Sequence, residues 1–295
     1  MSDLALSYVV IALLGIGLFL FTGRAAGKLS QRCRTTAIIV AVGALFVYVR
    51  TLWYDVRLAA WLPVPGLMVL ANWLPLFAAV IAALVGHSST LSLVRRRVLV
   101  TALVGASVLA AIFPLLGAAP KCQDHWDKLG TCLQTTPATC SPAAAATLLR
   151  RYGIQASERE MAELCLTRAG TSWQGLYRGL KLKTAGTAWD VQVRAISADE
   201  ILKQRTAPLI VSVGLERSAS SNTDFTREFG WVPGVNHSVV IERFSSTGSA
   251  VIADPACEMC REQWSAAMLR TLWRGYAFQL VPRDEQQPAG SRSLR

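Results

Sequence analysis

Four apolar runs crowd the first 116 residues of the chain, at roughly residues 4–22, 35–52, 67–85 and 98–116. Each is close to the about 20 residues that an α-helix needs to cross a hydrocarbon core. The first run lacks a basic leader and is followed by three more, so it reads as a retained helix and not as a signal peptide. Pro75 falls inside the third run, where it should kink a membrane helix. Trp53, Tyr54 and Trp61 lie between runs two and three, as residues of an interfacial aromatic belt do. The mean hydropathy of +0.36 is therefore an average over two different parts. The expected division is a four-span membrane region at 1–119, a globular domain at 120–282 and a disordered polar tail at 283–295.

The charge is divided the same way. The net charge is +11 over 295 residues. Residues 1–120 hold nine Lys/Arg and two Asp/Glu, residues 121–282 hold eighteen against fifteen, and the tail three against two. The excess sits between the apolar runs. That pattern points to membrane topology and away from a nucleic-acid surface. Arg24, Lys28, Arg32 and Arg34 follow the first run, and Arg95, Arg96 and Arg97 follow the third. Basic loops face the cytoplasm, so the N-terminus and everything after residue 116 are expected outside it. For a Gram-negative cell this is the inner membrane, with the C-terminal domain in the periplasm. Apart from Arg50 near the end of the second run, no acidic or basic residue lies within the spans, so a transport path has no support.

Six of the seven cysteines lie in the C-terminal part: Cys122, Cys132, Cys140, Cys165, Cys257 and Cys260. Such usage suits an oxidising compartment. Cys122 with Cys132, and Cys257 with Cys260, could each close a short disulfide loop, leaving Cys165 as a buried thiol. Zinc is the competing reading of the Cys257–Cys260 pair. Beyond an isolated His125 the sequence offers no second ligand pair, so no metal is expected.

Cys140 stands apart. Residues 134–154, QTTPATCSPAAAATLLRRYGI, run from a polar loop into a strong helix former. Thr139 is placed as N-cap, Pro142 in the first turn and Gly153 just past the end. A thiol at a helix N-terminus is favoured as thiolate by the free N–H groups there. Gln134, on the incoming loop, could turn its amide toward the same point and help the Cys140 N–H hold an oxyanion.

Downstream, Ser157 and Glu160 form a capping-box pattern for a helix over 157–166, and a third helix spans 173–184. A strand follows at 188–196, a short helix at 197–203 and a buried strand at 209–215. Residues 216–235 read as a mobile loop over a cleft. Trp231, Val232 and Pro233 in it line either a pocket or the core. Residues 237–244 and 250–254 form a β-hairpin with His237 at its head and Asp254 at its end. Antiparallel pairing brings those two together, which fixes the tautomer of the imidazole and stabilises the imidazolium. A last helix at 264–273 and a strand at 275–281 complete the domain.

The order Gln134, Cys140, His237, Asp254 resembles the C39 peptidases, the papain-like group that processes bacteriocin leaders. The shared pieces are Q-x5-C at a helix start, A-x3-L-x3-Y-G-I, T-S-x2-G-L opening a helix, H-S-V-V-I, and I-x-D-P, spread over about residues 130–282. The resemblance implies an α+β papain-like cysteine peptidase fold, with the cysteine on the N-terminal helix and the His and Asp on an antiparallel sheet. It implies Cys140 as nucleophile, His237 as general base and then acid, Asp254 as its orienter and Gln134 in the oxyanion hole. It also implies a peptide or protein substrate, often a leader cut after Gly-Gly, and no metal or organic cofactor. Two departures stand out. The family usually has Asp-Cys-Gly where this chain has Thr139-Cys140-Ser141, and no Walker A motif accompanies the domain. The competing readings are a catalytically silent peptide-binding or protein-binding domain, and a thiol oxidoreductase using Cys257 and Cys260.

Overall fold

The computed structural model describes residues 3–61, 64–70, 73–217, 225–227, 231–259 and 261–283. The chain divides into two compact units, residues 1–116 and 117–295. The polar tail expected beyond residue 283 lies outside the described residues.

The first unit is helical. Helices α1 (Asp3–Lys28), α2 (Gln31–Thr51) and α6 (Leu93–Ile112, extended by a 3₁₀ turn to Leu115) are long and apolar enough to cross a membrane. Between α2 and α6 come the short α3 (Leu58–Trp61) and α4 (Pro65–Val69), then α5 (Leu74–Gly86). The third apolar run is thus not one helix, and α5 has 13 residues, short of a full crossing by itself. The reason is Pro75. It lacks an N–H and clashes with the preceding turn, so it starts a helix more readily than it continues one. It sits in the first turn of α5, after Trp73 in the left-handed region at φ 40°. The expected kink is a break.

The broken segment nevertheless runs along the whole of α1. At one end, a Cβ on Gly66 would meet Ser7 Oγ and lie 2.7 Å from the Asp3 carbonyl oxygen. At the other, the His87 ring lies against Gly23 and Gly27. There the buried Arg34 guanidinium donates to the carbonyls of Ala26 (3.0 Å), Leu29 (2.9 Å) and His87. Gln31 Oε1 accepts from the N–H (3.0 Å) and hydroxyl (2.8 Å) of Ser89. These bonds join the loop after α1 to the loop after α5. Within α5 itself, Ile81, Ala82, Ala83, Leu84 and Val85 are buried inside the unit.

The second unit is α+β, with a six-stranded sheet in the order β1-β6-β2-β3-β4-β5, every neighbouring pair antiparallel. The strands are β1 (Trp189–Ala195), β2 (Leu209–Gly214), β3 (Asn236–Phe244), β4 (Ala250–Ala253), β5 (Glu262–Trp264) and β6 (Trp273–Pro282). Helices α7 (Cys140–Arg151), α8 (Glu158–Leu164) and α9 (Trp173–Lys183) precede it, with α7 against β3 and β2. The short α10 (Ala198–Gln204) and α11 (Ala266–Leu272) belong to the same unit. In α7, Ala143 to Ala146, Leu148 and Leu149 are fully buried. Small alanines let a helix lie close on a sheet, which is why so weakly hydrophobic a helix can be the central one. Gly153, at φ +73°, ends it as expected.

Several local expectations shift. Ser157 caps α8 through the Glu160 N–H (3.2 Å), but the Glu160 carboxylate goes to Lys183 (2.5 Å) and does not close the capping box. The segment expected as a helix from 264 is first β5, then α11 capped by Ser265. The expected Cys122–Cys132 disulfide is absent: both are free, buried thiols. The loop between them is closed without it. The Asp127 and Leu133 N–H groups donate to Thr131 and His125 carbonyls, at 2.9 Å each. Burial, with Glu158 nearby, pushes the Cys132 thiol up to about 12. Cys165 is a buried free thiol, as expected. The expected Cys257–Cys260 pairing rests on Cys260, which lies outside the described residues.

Candidate active site

Thr139 occupies the N-cap position of α7 but does not cap it. Its hydroxyl accepts from Thr136 N–H (3.0 Å) and donates to Thr136 C=O (2.9 Å). The first N–H groups of a helix have no intrahelical partner, so this end of α7 stays open to an anion. Cys140 is its first residue and is 8% exposed.

His237 enters from β3, the strand on which α7 packs. Its Nε2 lies 2.7 Å from Asp254 Oδ1. Asp254 directly follows β4 and is buried, and the same oxygen accepts the Ala256 N–H at 2.7 Å. The hairpin brings the pair together because β3 and β4 are neighbours in register, Val240 opposite Ala253. With Nε2 committed to the carboxylate, Nδ1 is the ring nitrogen left for the thiol, and Cys140 and His237 are near enough to shift each other's ionisation.

The electrostatics follow from that geometry. Burial alone would raise the Cys140 pKa. The His237 hydrogen bond and positive charge, with bonds from the Ser238 backbone and Ser141, outweigh it and hold the thiol below its ordinary range. Burial alone would lower the His237 pKa. The hydrogen bond to Asp254, the bond to Cys140 and the negative charges of both raise it instead. Each partner thus favours the charged form of the other, as in a thiolate–imidazolium pair.

Gln134 is placed by its backbone. Its N–H donates to Pro255 C=O at 2.9 Å, next to Asp254. Among the described residues its buried carboxamide oxygen has no hydrogen-bond partner.

Four further features surround the site. Ser141, in the place of the expected glycine, shares a 2.8 Å hydrogen bond with Ser238. Tyr276, its pKa raised by burial, bonds Ser212 and feels the charge of Cys140. Trp231 packs edge-on against His237 with centroids 5.7 Å apart, and against Trp264 at 6.1 Å. Glu158, fully buried, accepts bonds from Thr135. Only Trp231 carried a signal, its place just upstream of His237. In the segment expected as a mobile loop, the described residues Phe225 and Trp231 pack on the core, whereas Val232 and Val235 are exposed.

A cleft of about 190 Å³ opens beside the thiol, its wall including Cys140, Ser141, Trp173, Ser212, Ser238 and Tyr276. Among the described residues no group of three or more His, Cys, Asp or Glu side chains is placed to hold a metal ion. His125 instead lies 3.7 Å from Glu258. What the arrangement can do is ionise a thiol beside an imidazole that a carboxylate orients, next to open helix N–H groups.

Comparison with known proteins gives the family. Two solved structures are similar to part of this chain. One is the peptidase domain of Streptococcus ComA, a bi-functional ABC transporter of a quorum-sensing pathway. It is 21% identical, with a TM-score of 0.40, over 54% of this chain and 100% of that one. The other is a double-glycine-motif protease from an AMS/PCAT transporter, solved with its leader peptide. It is 16% identical, with a TM-score of 0.40, over 55% of this chain and 96% of that one. Sequence comparison with curated proteins gives no match. The family model of the Peptidase_C39 like family matches residues 122–281. More than half of the sequence lies within that match, and the chain belongs to the Peptidase_C39 like family.

Proposed function

We propose that the chain is a membrane-anchored cysteine peptidase, with residues 1–119 as anchor and 120–282 as peptidase domain. The observation that carries this reading is the convergence of Cys140, His237 and Asp254 from one helix start and one hairpin. In the proposed reaction the Cys140 thiolate attacks the substrate carbonyl carbon and a C–S bond forms. The carbonyl oxygen becomes an oxyanion, held by the Cys140 N–H and the Gln134 carboxamide. As the C–N bond breaks, His237 gives its proton to the leaving amine. His237 then takes a proton from water, whose oxygen attacks the thioester carbon; the C–S bond breaks, the acid is released and the Cys140 thiolate returns beside the imidazolium. Asp254 holds the ring in place and stabilises its charged form. The residues that act are all side chains and backbone of this chain, and the substrate is a peptide or protein.

The anchor is proposed to cross the membrane four times, with 65–86 as one interrupted crossing. The support is its alignment beside α1 from Asp3 to Gly27. The bonds of Arg34 and Gln31 join the two basic loops at one level. By charge that level is cytoplasmic, so the peptidase domain lies on the extracytoplasmic side of the inner membrane.

The experiment is labelling of the purified protein with an electrophilic thiol probe at neutral pH, with the modified residue mapped by mass spectrometry. Selective labelling of Cys140, lost in His237→Ala, is the expected result. An unlabelled Cys140 in the wild-type protein overturns the reading.

A further inference from the structure

A proposed oxyanion hole needs its donors held to within about 0.5 Å, and loops alone rarely achieve that. Gln134 lies on a loop, and the loop is pinned on both sides. Residue 134 is tied through its N–H to Pro255 C=O at 2.9 Å. Residue 135 is tied to Glu158. Glu158 Oε1 accepts the Thr135 N–H at 2.6 Å, and Oε2 accepts the Thr135 hydroxyl at 2.5 Å. The Thr135 hydroxyl in turn accepts the Gln123 N–H at 2.9 Å.

Glu158 is 0% exposed. A fully buried carboxylate is costly, and a loop can be held at less cost by a neutral or apolar side chain. What a carboxylate adds is two short charge-assisted bonds to one residue, which fix both its backbone and its side chain. The residue so fixed is the immediate neighbour of Gln134.

We infer that Glu158 is a positioning residue for the reaction: through Thr135 it sets where the Gln134 carboxamide stands. This rests on the oxyanion role proposed for Gln134. Glu158 itself touches no reacting atom. It leaves the thiolate alone and acts on the step that places charge on the carbonyl oxygen.

Two small reagents separate those steps. Iodoacetamide alkylates Cys140 by displacing iodide at a saturated carbon, with no oxyanion. p-Nitrophenyl acetate acetylates Cys140 through a tetrahedral oxyanion and releases p-nitrophenolate. Both rates are read at Cys140 by mass spectrometry in the full-length protein. Glu158→Gln is expected to slow acetylation by about tenfold or more and to leave alkylation and its pH midpoint unchanged. Gln134→Ala should do the same, and the double variant should lose little beyond the larger single effect, since both act on one donor. Thr135→Val removes one donor to Glu158. It should show the same split to a smaller degree, and it carries the test if Glu158→Gln does not fold.

Equal slowing of both reactions means a general disturbance of the site and overturns the inference. So does unchanged acetylation in a folded variant. A wild-type protein that is not acetylated at Cys140 in a His237-dependent way fails earlier, at the peptidase reading itself.

Discussion

His237 Nε2 and Asp254 Oδ1 lie 2.7 Å apart, although 17 residues separate them in sequence. The β3–β4 hairpin closes that distance, and the Ala256 N–H on the same oxygen keeps the carboxylate from turning away. Asp254→Asn should therefore keep the hairpin but weaken the imidazolium. Hydrolysis of a peptide substrate should fall, and fall less than in Cys140→Ala, which should abolish it. A general base contributes about 10²–10⁴-fold, and Asp254→Asn should lose only part of that. An unchanged rate in Asp254→Asn assigns Asp254 a structural role only.

The ionisation of the pair predicts a pH profile. The Cys140 pKa is lowered in the folded protein, so its thiolate adds stability above the unfolded thiol's pKa, and this is lost as pH falls through the folded value. The His237 pKa is raised to about 10, so its charged form adds stability below the ordinary imidazole value of about 6.5, lost as pH rises through about 10. Alkylation of Cys140 by iodoacetamide should be half-maximal below the ordinary thiol value of about 8.5. In His237→Ala burial acts alone and the midpoint should move above that value. A midpoint that His237→Ala leaves in place disproves the coupling.

Most of the candidate site was legible in the sequence because the chemistry-bearing residues sit at local signals. Cys140 begins a helix marked by Pro142 and an alanine run, and His237 and Asp254 bound a hairpin marked by alternation and Pro255. The sequence did not show Glu158, which in sequence is one more acid in a helix's first turn. Its hydrogen bonds go to Thr135, 23 positions away. Nor did it show β5, three residues long and stabilised by pairing with β4. The third apolar run misled for a related reason. Hydropathy counts Pro75 as an ordinary apolar-run residue, while its missing N–H decides where α5 begins. Thr139 reads as a cap by type, but its hydroxyl is already engaged by Thr136.

Close packing of α9 on α8 gives a stability test away from the chemistry. A Cβ on Gly175 would run into the Cys165 carbonyl, and one on Gly179 into Cys165 Sγ. Neither neighbour can yield freely, since Cys165 is the C-cap of α8 and is buried. Gly175→Ala and Gly179→Ala should each destabilise by about 1–3 kcal/mol, against the helix propensity that favours alanine. Thermal unfolding of the purified protein checks this. A raised melting temperature in either variant refutes the packing.

The membrane orientation can be read from a native residue. Cys33 is an exposed free thiol in α2, beside the basic loop that the proposed topology puts in the cytoplasm. Cys122, Cys132 and Cys165 are buried, and burial raises all three thiols above their ordinary range. In the Cys140→Ala variant, with labelling mapped by mass spectrometry, a membrane-impermeant maleimide added to intact spheroplasts should leave Cys33 unlabelled, and labelling at Cys33 should appear once the membrane is permeabilised. A protease added to the same spheroplasts should reach the C-terminal domain from outside. Four crossings and the charge of the loops require both results together. Labelling of Cys33 from outside would reverse the orientation and place the candidate active site in the cytoplasm. Protection of both Cys33 and the domain would put them on one side of the membrane. That needs an even number of crossings between them, and it would remove 65–86 as a crossing.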